Sequence, residues 1–427
     1  MKKYGIVWVY VLGYLFGTQL KAQTDPFVPY LQHQAPKIVK TLVLKDTLGI
    51  ALKEVVFALT DSTEVYVVIA TPHSKGKHPG MLVLHGGGGA AEKDKAIAWA
   101  QRGYIAVAPD LPGIAEPKRL VHTKGRWNSL AYGAKRYVAK PDVRASVIFD
   151  AVASALQSLQ LLRFQPQVDV RRIGVVGISW GGYMTTMLCG LAGKQIKAAF
   201  SVFGCGFYEL TSQLGYLKQM PEAERKEWLQ WLDAGARLPN CKAAYLVAAA
   251  ANDFFFYPKA VQATLDHIKG DKNQVYAPNV SHQIPLPGGS IADSGKQVPF
   301  VATKFQPYPT PKGNNANWLQ MEVPFMEYHL RKRGLPLPKV QIKSTDEPLT
   351  KVAIVQGKQP MQEAVVYWSS DCADVKACKW NVLLLQKIAP QQYRIVLPPE
   401  AKQWFCTVTN NQDISVSSAL FSQNPLQ

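Results

Sequence analysis

The sequence predicts an α/β fold, a mostly parallel sheet with helices on both faces, followed by a smaller all-β sandwich. Three observations carry that expectation. Uniformly apolar runs such as Met81 to Leu84 and Ala243 to Ala250, which suit strands covered on both faces, alternate with segments of helical spacing. One strand-like run, Arg172 to Ile178, passes directly into Gly177-Ile178-Ser179-Trp180-Gly181. After Gly334-Leu335-Pro336-Leu337-Pro338 the helical spacing stops, and short alternating runs divided by turns take over.

In chain order, Met1-Lys2-Lys3 and the short apolar run Ile6 to Leu15 read as a signal peptide, with Ala22 a suitable residue for cleavage. The run falls short of the roughly 20 residues that span a bilayer, and no cysteine follows the cut, so neither a retained anchor nor a lipid anchor is expected. Lys37 to Thr71 holds three strand-like runs, an antiparallel start to the sheet. Met81 to Leu84 is the next strand, and His85-Gly86-Gly87-Gly88-Gly89 follows it directly. Glycines placed there let backbone amides turn towards a reacting carbonyl. Ala96 to Ala100 is helical, and Tyr104 to Pro109 is a buried strand ending at Asp110, an acid expected to shape the turn. From Asp142 to Arg163, Ile148, Val152, Ala155, Leu156, Leu159 and Leu162 recur at helical spacing.

The Gly-x-Ser-x-Gly segment fits a sharp strand-to-helix turn, where larger side chains collide and the hydroxyl of Ser179 is pushed into the open. The helix after it points its N-terminal amides at that hydroxyl, which favours a developing negative charge there. Ile196 to Phe203 is another strand. Glu209 to Leu238 is helical and lies over the site as a cap, with Trp228 and Trp231 expected to pack on the body rather than stack on a sugar. Ala243 to Ala250 is a strand ending at Asn252-Asp253, Val261 to Ile268 a helix, and Gln274 to Pro278 a short strand followed by Asn279-Val280-Ser281-His282.

A serine hydroxyl needs a neutral imidazole to take its proton, and the imidazole needs a carboxylate to fix its tautomer and stabilise its charged form. Ser179, Asp253 and His282, each after a separate strand, fill these roles in the chain order Ser, Asp, His. Asp266, Asp271 and Glu209 are the competing acids. With those residues in place, the chain resembles the α/β-hydrolase superfamily, and within it the exported acetylxylan-esterase and dienelactone-hydrolase-like group. The likeness covers about Lys37 to Gly334 and is carried by His85 to Gly88, Gly177 to Gly182 and Asn252 to Phe256. The segments around Asp253 and His282, with the tail domain, also look like the PhoPQ-activated pathogenicity-related proteins. The resemblance implies Ser179 as nucleophile, Asp253 as acid and His282 as base, with the amides of Trp180 and of Gly86 or Gly87 as oxyanion donors. Gly181 to Thr185 is also similar to the prolyl-oligopeptidase elbow. Those peptidases carry a large propeller before or around the catalytic domain, whereas a few dozen residues precede the first strand here.

The expected organisation is a signal peptide over 1–22, a catalytic domain over 24–333 with a cap near 207–240, a linker over 334–338 and an immunoglobulin- or fibronectin-like sandwich over 339–427, built from about seven short strands. That sandwich is expected to shape the cleft rim or mediate a homodimer contact; Trp368, Trp380 and Trp404 are expected to pack in its core, with carbohydrate binding as the alternative. Cys372 and Cys378 bracket a short loop and can close it as a disulfide, while Cys189, Cys205 and Cys241 sit in apolar segments as buried thiols. The formal charge is +18, yet the basic residues are scattered, so a nucleic-acid partner is not expected. No His or Cys spacing matches a zinc site, and neither metal nor cofactor is expected. The reading is a periplasmic or secreted serine esterase acting on a small-molecule or polysaccharide ester. A serine peptidase and a non-catalytic envelope scaffold are the alternatives.

Overall fold

Strands of uniform hydrophobicity must be covered on both faces, and the computed structural model covers them in that way. It describes residues 24–60, 62–115, 122–129, 133–282 and 321–422. The expected signal peptide and the Pro- and Gly-rich loop from Ile284 to Asn317 lie outside those residues. Strands β1 (Lys37–Val43), β2 (Ile50–Thr60), β3 (Thr63–Pro72), β4 (His78–Leu84), β5 (Ile105–Pro109), β6 (Val168–Ile178), β7 (Ala198–Val202), β8 (Ala244–Ala250) and β9 (Lys272–Ala277) form one sheet in the order β1-β2-β3-β5-β4-β6-β7-β8-β9. The first three run antiparallel to their neighbours, and β5 to β9 pair in parallel.

Alternation along each strand feeds two cores. Leu82, Leu84 and Val175 face helices α2 (Val147–Arg163), α3 (Trp180–Ala192) and α5 (Pro258–His267), with α4 (Glu222–Leu232) in the same core. Met81, Val83 and Val176 face α1 (Lys93–Gln101) and α6 (Glu322–Arg331). Helix α2 starts at Val147 rather than at Asp142, because Asp142 caps a separate 3-10 turn and Ser146 caps the helix itself. Its residues Val147 to Leu162 are all buried. The hydroxyls of Ser154 and Ser158 donate to carbonyls four residues back, at 2.7 and 2.8 Å, so these two buried serines are satisfied within the helix.

The tail forms two facing sheets. β10 (Lys339–Ser344), β11 (Thr350–Gln356), β15 (Gln392–Val396) and β14 (Gln386–Ala389) make one, in that order. β13 (Asn381–Leu384), β12 (Met361–Ser369), β16 (Gln403–Asn410) and β17 (Ser415–Ser417) make the other, with β18 (Phe421–Ser422) also on β16. The strand-like run from Trp380 to Gln386, expected from its apolar content to be one of the sandwich strands, is shared by two: the chain crosses from one sheet to the other at Leu385. Trp380 and Trp404 are core residues, and Trp368 is half-buried against the core. The stretch between the two parts is packed rather than free, since Leu337 is buried and the Asn273 amide donates to the Pro338 carbonyl at 3.2 Å. Strand β9, the edge of the large sheet, is covered by the tail. The Tyr276 amide donates to Ser417 Oγ at 3.1 Å, and Gln274 Nε2 to the Ser418 carbonyl at 2.6 Å.

His329 lies at this seam, its ring 4.5 Å from that of Phe325 and Nε2 3.6 Å from Asp271, which also pairs with Lys339. Burial pushes its pKa down to about 4, against the pull of Asp271 and with the push of Lys332, Lys197 and Lys339. The unfolded chain titrates near 6.5, so below that pH it binds a proton that the folded protein refuses. Stability from this group is complete above about pH 6.5 and declines as the pH falls towards 4. Thermal melts between pH 7.5 and 4.5 should show a shallower decline for His329→Gln than for the parent protein, by at most about one proton.

Candidate active site

Strand β6 delivers Ser179 at φ 56° and ψ −117°, a conformation that costs on the order of 1 to 3 kcal/mol for a residue with a side chain. The turn is held by its surroundings. The Ser179 amide donates to the Val202 carbonyl at 2.7 Å, and the two flanking glycines are required by space. A Cβ on Gly177 would meet the Gly181 carbonyl oxygen at 2.1 Å, and one on Gly181 would meet the Leu84 carbonyl oxygen at the same distance. Helix α3 begins at Trp180, which puts its first amides beside the serine.

The turn after β8 brings in Asp253, 1% exposed. Its Oδ1 accepts from the amides of Phe255 and Phe256 at 2.7 and 2.9 Å, and its Oδ2 faces His282 Nδ1 at 2.7 Å. The loop after β9 brings in His282, whose Nε2 lies 2.7 Å from Ser179 Oγ. A carboxylate only accepts hydrogen bonds, so Nδ1 carries the proton, and Nε2 presents its lone pair to the serine hydroxyl. The imidazole is boxed by the rings of Phe203 and Phe255, both at 5.0 Å, with Phe256 at 5.8 Å and Phe254 at 6.2 Å. Serine, imidazole and carboxylate thus form one connected chain in an apolar surround, an arrangement able to move a proton from the hydroxyl to the ring.

The competing acids are elsewhere. Glu209 is exposed on a 3-10 turn, Asp266 accepts from Gln262 at 2.8 Å, and Asp271 is at the seam with the tail. Asp110 shapes a turn: it accepts from the Ala91 amide at 2.8 Å and from Thr123 Oγ1 at 2.7 Å, and burial pushes its carboxyl up to about 6. The glycine loop runs against the elbow, since a Cβ on Gly86 would be 3.5 Å from that of Ser179. His85, buried beneath it, accepts from the Leu111 amide at 2.8 Å through Nε2, which leaves Nδ1 to donate to the Gly86 carbonyl at 2.7 Å. The amides of Gly88 and Gly89 donate to the carbonyls of Ile114 and Gly86. The amides of Gly86 and Gly87 donate to no main-chain carbonyl among the described residues, and Gly86 lies against Ile178 and Ser179, next to the half-buried Trp180 in sequence. Trp228 and Trp231 of the cap are buried, so they pack against the body.

Two positioning residues escaped the sequence reading. Asn252 Nδ2 donates to the carbonyls of Val375 and Cys378 at 3.0 and 2.5 Å, and Asn279 exchanges two 2.9 Å hydrogen bonds with the backbone of Trp380. One asparagine precedes Asp253 and the other lies three residues before His282, at φ 54°, a left-handed conformation that asparagine tolerates. Both grip the tail-domain segment that includes the loop closed by the disulfide Cys372–Cys378. An asparagine beside each site residue was the available signal, but the partners lie 101 to 126 positions away. Asn279→Ala should slow fluorophosphonate labelling of Ser179 by about tenfold or more through misplacement of His282, with the labelled site read by mass spectrometry. Labelling at the parent rate would show that the asparagine does not position the base.

Residues 65–277 match the dienelactone hydrolase family. No curated protein matches the chain. Among solved structures, acetyl xylan esterase 1 from Thermoanaerobacterium sp. JW/SL YS485 is similar at 18% identity and a TM-score of 0.52, over 61% of this chain and 87% of that one. An acetyl xylan esterase from Paenibacillus sp. R4 is similar at 19% identity and a TM-score of 0.51, over 60% and 87%. Likeness at that identity is likeness of fold. Sheet order, elbow and family match agree: residues 65–277 are a dienelactone hydrolase family domain, and the protein is an α/β-hydrolase by fold.

Proposed function

We propose that this protein is an exported serine esterase that removes acyl groups, acetyl in the first instance, from a polysaccharide through an acyl-enzyme. The observation that carries the proposal is the pair of 2.7 Å hydrogen bonds linking Ser179 Oγ to His282 and His282 to Asp253. Support also comes from the hydrolase family match and from two fold neighbours that are acetyl xylan esterases. The N-terminal leader pattern supports export to the periplasm or beyond.

In this proposal Ser179 Oγ attacks the ester carbonyl as His282 Nε2 takes its proton, and Asp253 stabilises the resulting imidazolium. The tetrahedral oxyanion is received by the amides of Trp180 and of Gly86 or Gly87. The imidazolium then protonates the leaving alcohol, and a water activated by the same imidazole releases the acid and restores Ser179. This route uses neither metal nor cofactor.

Hydrolysis of 4-nitrophenyl acetate and release of acetate from acetylated xylan test the proposal. Ser179→Ala should lower kcat by on the order of 10⁶, and Asp253→Asn by on the order of 10⁴. Equal rates for the parent and Ser179→Ala would overturn it. Cleavage of short peptides without acetate release would identify a peptidase, and a parent protein inert in every assay would favour the scaffold reading.

A further inference from the structure

A groove of about 320 Å³ opens on the His282 side of the site, lined by Ser212, Gln213, Tyr216, Phe254, Phe255 and Lys376 among others. Phe254 and Phe255 join it to the site: both line the groove, and their rings also pack on the His282 imidazole. The proton that leaves His282 goes to the departing alcohol, so a groove on this side faces the alcohol part of an ester rather than its acyl part. The lining is unusual for this protein: Phe255 is 40% exposed and Tyr216 is 37% exposed, within one concave surface. Aromatic faces open to solvent in a concave site suit the apolar faces of a sugar ring.

The cation in the groove comes from the tail domain. Lys376 Nζ stands 5.3 Å from the centre of the Phe254 ring, and no carboxylate pairs with it among the described residues. The nearby Asp374 carboxylate accepts from the Lys376 backbone amide at 3.0 Å. The loop that presents the lysine is closed by Cys372–Cys378 and held to Asn252 by the bonds described above. A cation on a braced loop, one aromatic ring away from the imidazole, is a prearranged partner for an anion. The chain's formal charge of +18 acts in the same direction at longer range.

From this juxtaposition we infer that the groove binds the alcohol part of an ester bearing a carboxylate, with Lys376 as a specificity-determining residue and an acidic sugar as the fitting class. The inference rests on the serine-esterase reading. It is tested with 4-acetoxybenzoate and 4-acetoxybenzamide, esters that differ in charge and hold one ring between the ester oxygen and the carboxylate or amide. The ratio of their kcat/KM values should fall about fivefold in Lys376→Ala and further in Lys376→Glu, and should fall with added salt in the parent protein. Lys53→Glu, the same charge change on the exposed face of β2, should keep the ratio. A ratio that ignores substitution of Lys376 would overturn this inference and leave the esterase standing. Failure of the parent protein to hydrolyse either ester would overturn both.

Discussion

A carboxylate only 1% exposed to solvent is costly unless its oxygens have donors, and both oxygens of Asp253 have them, in two backbone amides and one imidazole. The two amides fix the carboxylate, the carboxylate fixes the tautomer of His282, and the tautomer decides whether Nε2 can accept the Ser179 proton. The rest of the site inherits its geometry from that hydrogen bond. The aromatic box around the imidazole keeps competing water away, so a short polar chain inside an apolar surround is electrostatically stronger than the same chain in solvent.

Tension at the opposite end of that chain has a different origin. Ser179 is held in a strained conformation because the flanking glycines let α3 come down on β4 and β6 at distances no Cβ would allow. The strain is local, but the restraint is global: the carbonyls that would collide with larger residues belong to Leu84 and Gly181, and the serine amide is satisfied by β7. The elbow therefore depends on the register of the parallel sheet, and a reactive hydroxyl is a property of the assembled fold rather than of the five-residue motif.

Much of this was legible in the sequence because it is written locally. Uniform apolar runs marked β4, β5, β7 and β8, the glycine pattern marked the elbow, and counting strands placed Asp253 and His282 after β8 and β9. The choice of Asp253 over Asp266, Asp271 and Glu209 rested on the same strand count, which the geometry matches. Contacts between distant segments were not legible. The run at 380–386 is apolar without a break from Val382 to Leu385, and no turn residue in it marks the change of sheet at Leu385. Asn252 and Asn279 look like turn residues, since their partners are main-chain groups of another part of the chain and a main-chain partner leaves no trace in residue type. The role of the tail was open for the same reason.

The interface explains why the acid and base turns have the side chains they do. An edge strand such as β9 has unpaired backbone groups, and the loop that follows it would ordinarily be among the least restrained parts of an α/β sheet. Here the tail closes that edge through Ser417 and Ser418, then continues its contact past the end of the strand through Asn279 and across to the next turn through Asn252. One surface therefore seals the sheet, holds the His282 loop and holds the Asp253 turn. Because the same segment also presents Lys376 beside Phe254, precise placement of the base and the charge of the groove are coupled through a single loop. A change that loosened the docking of the tail would act on both at once, although the tail contributes none of the three residues in the proton-transfer chain.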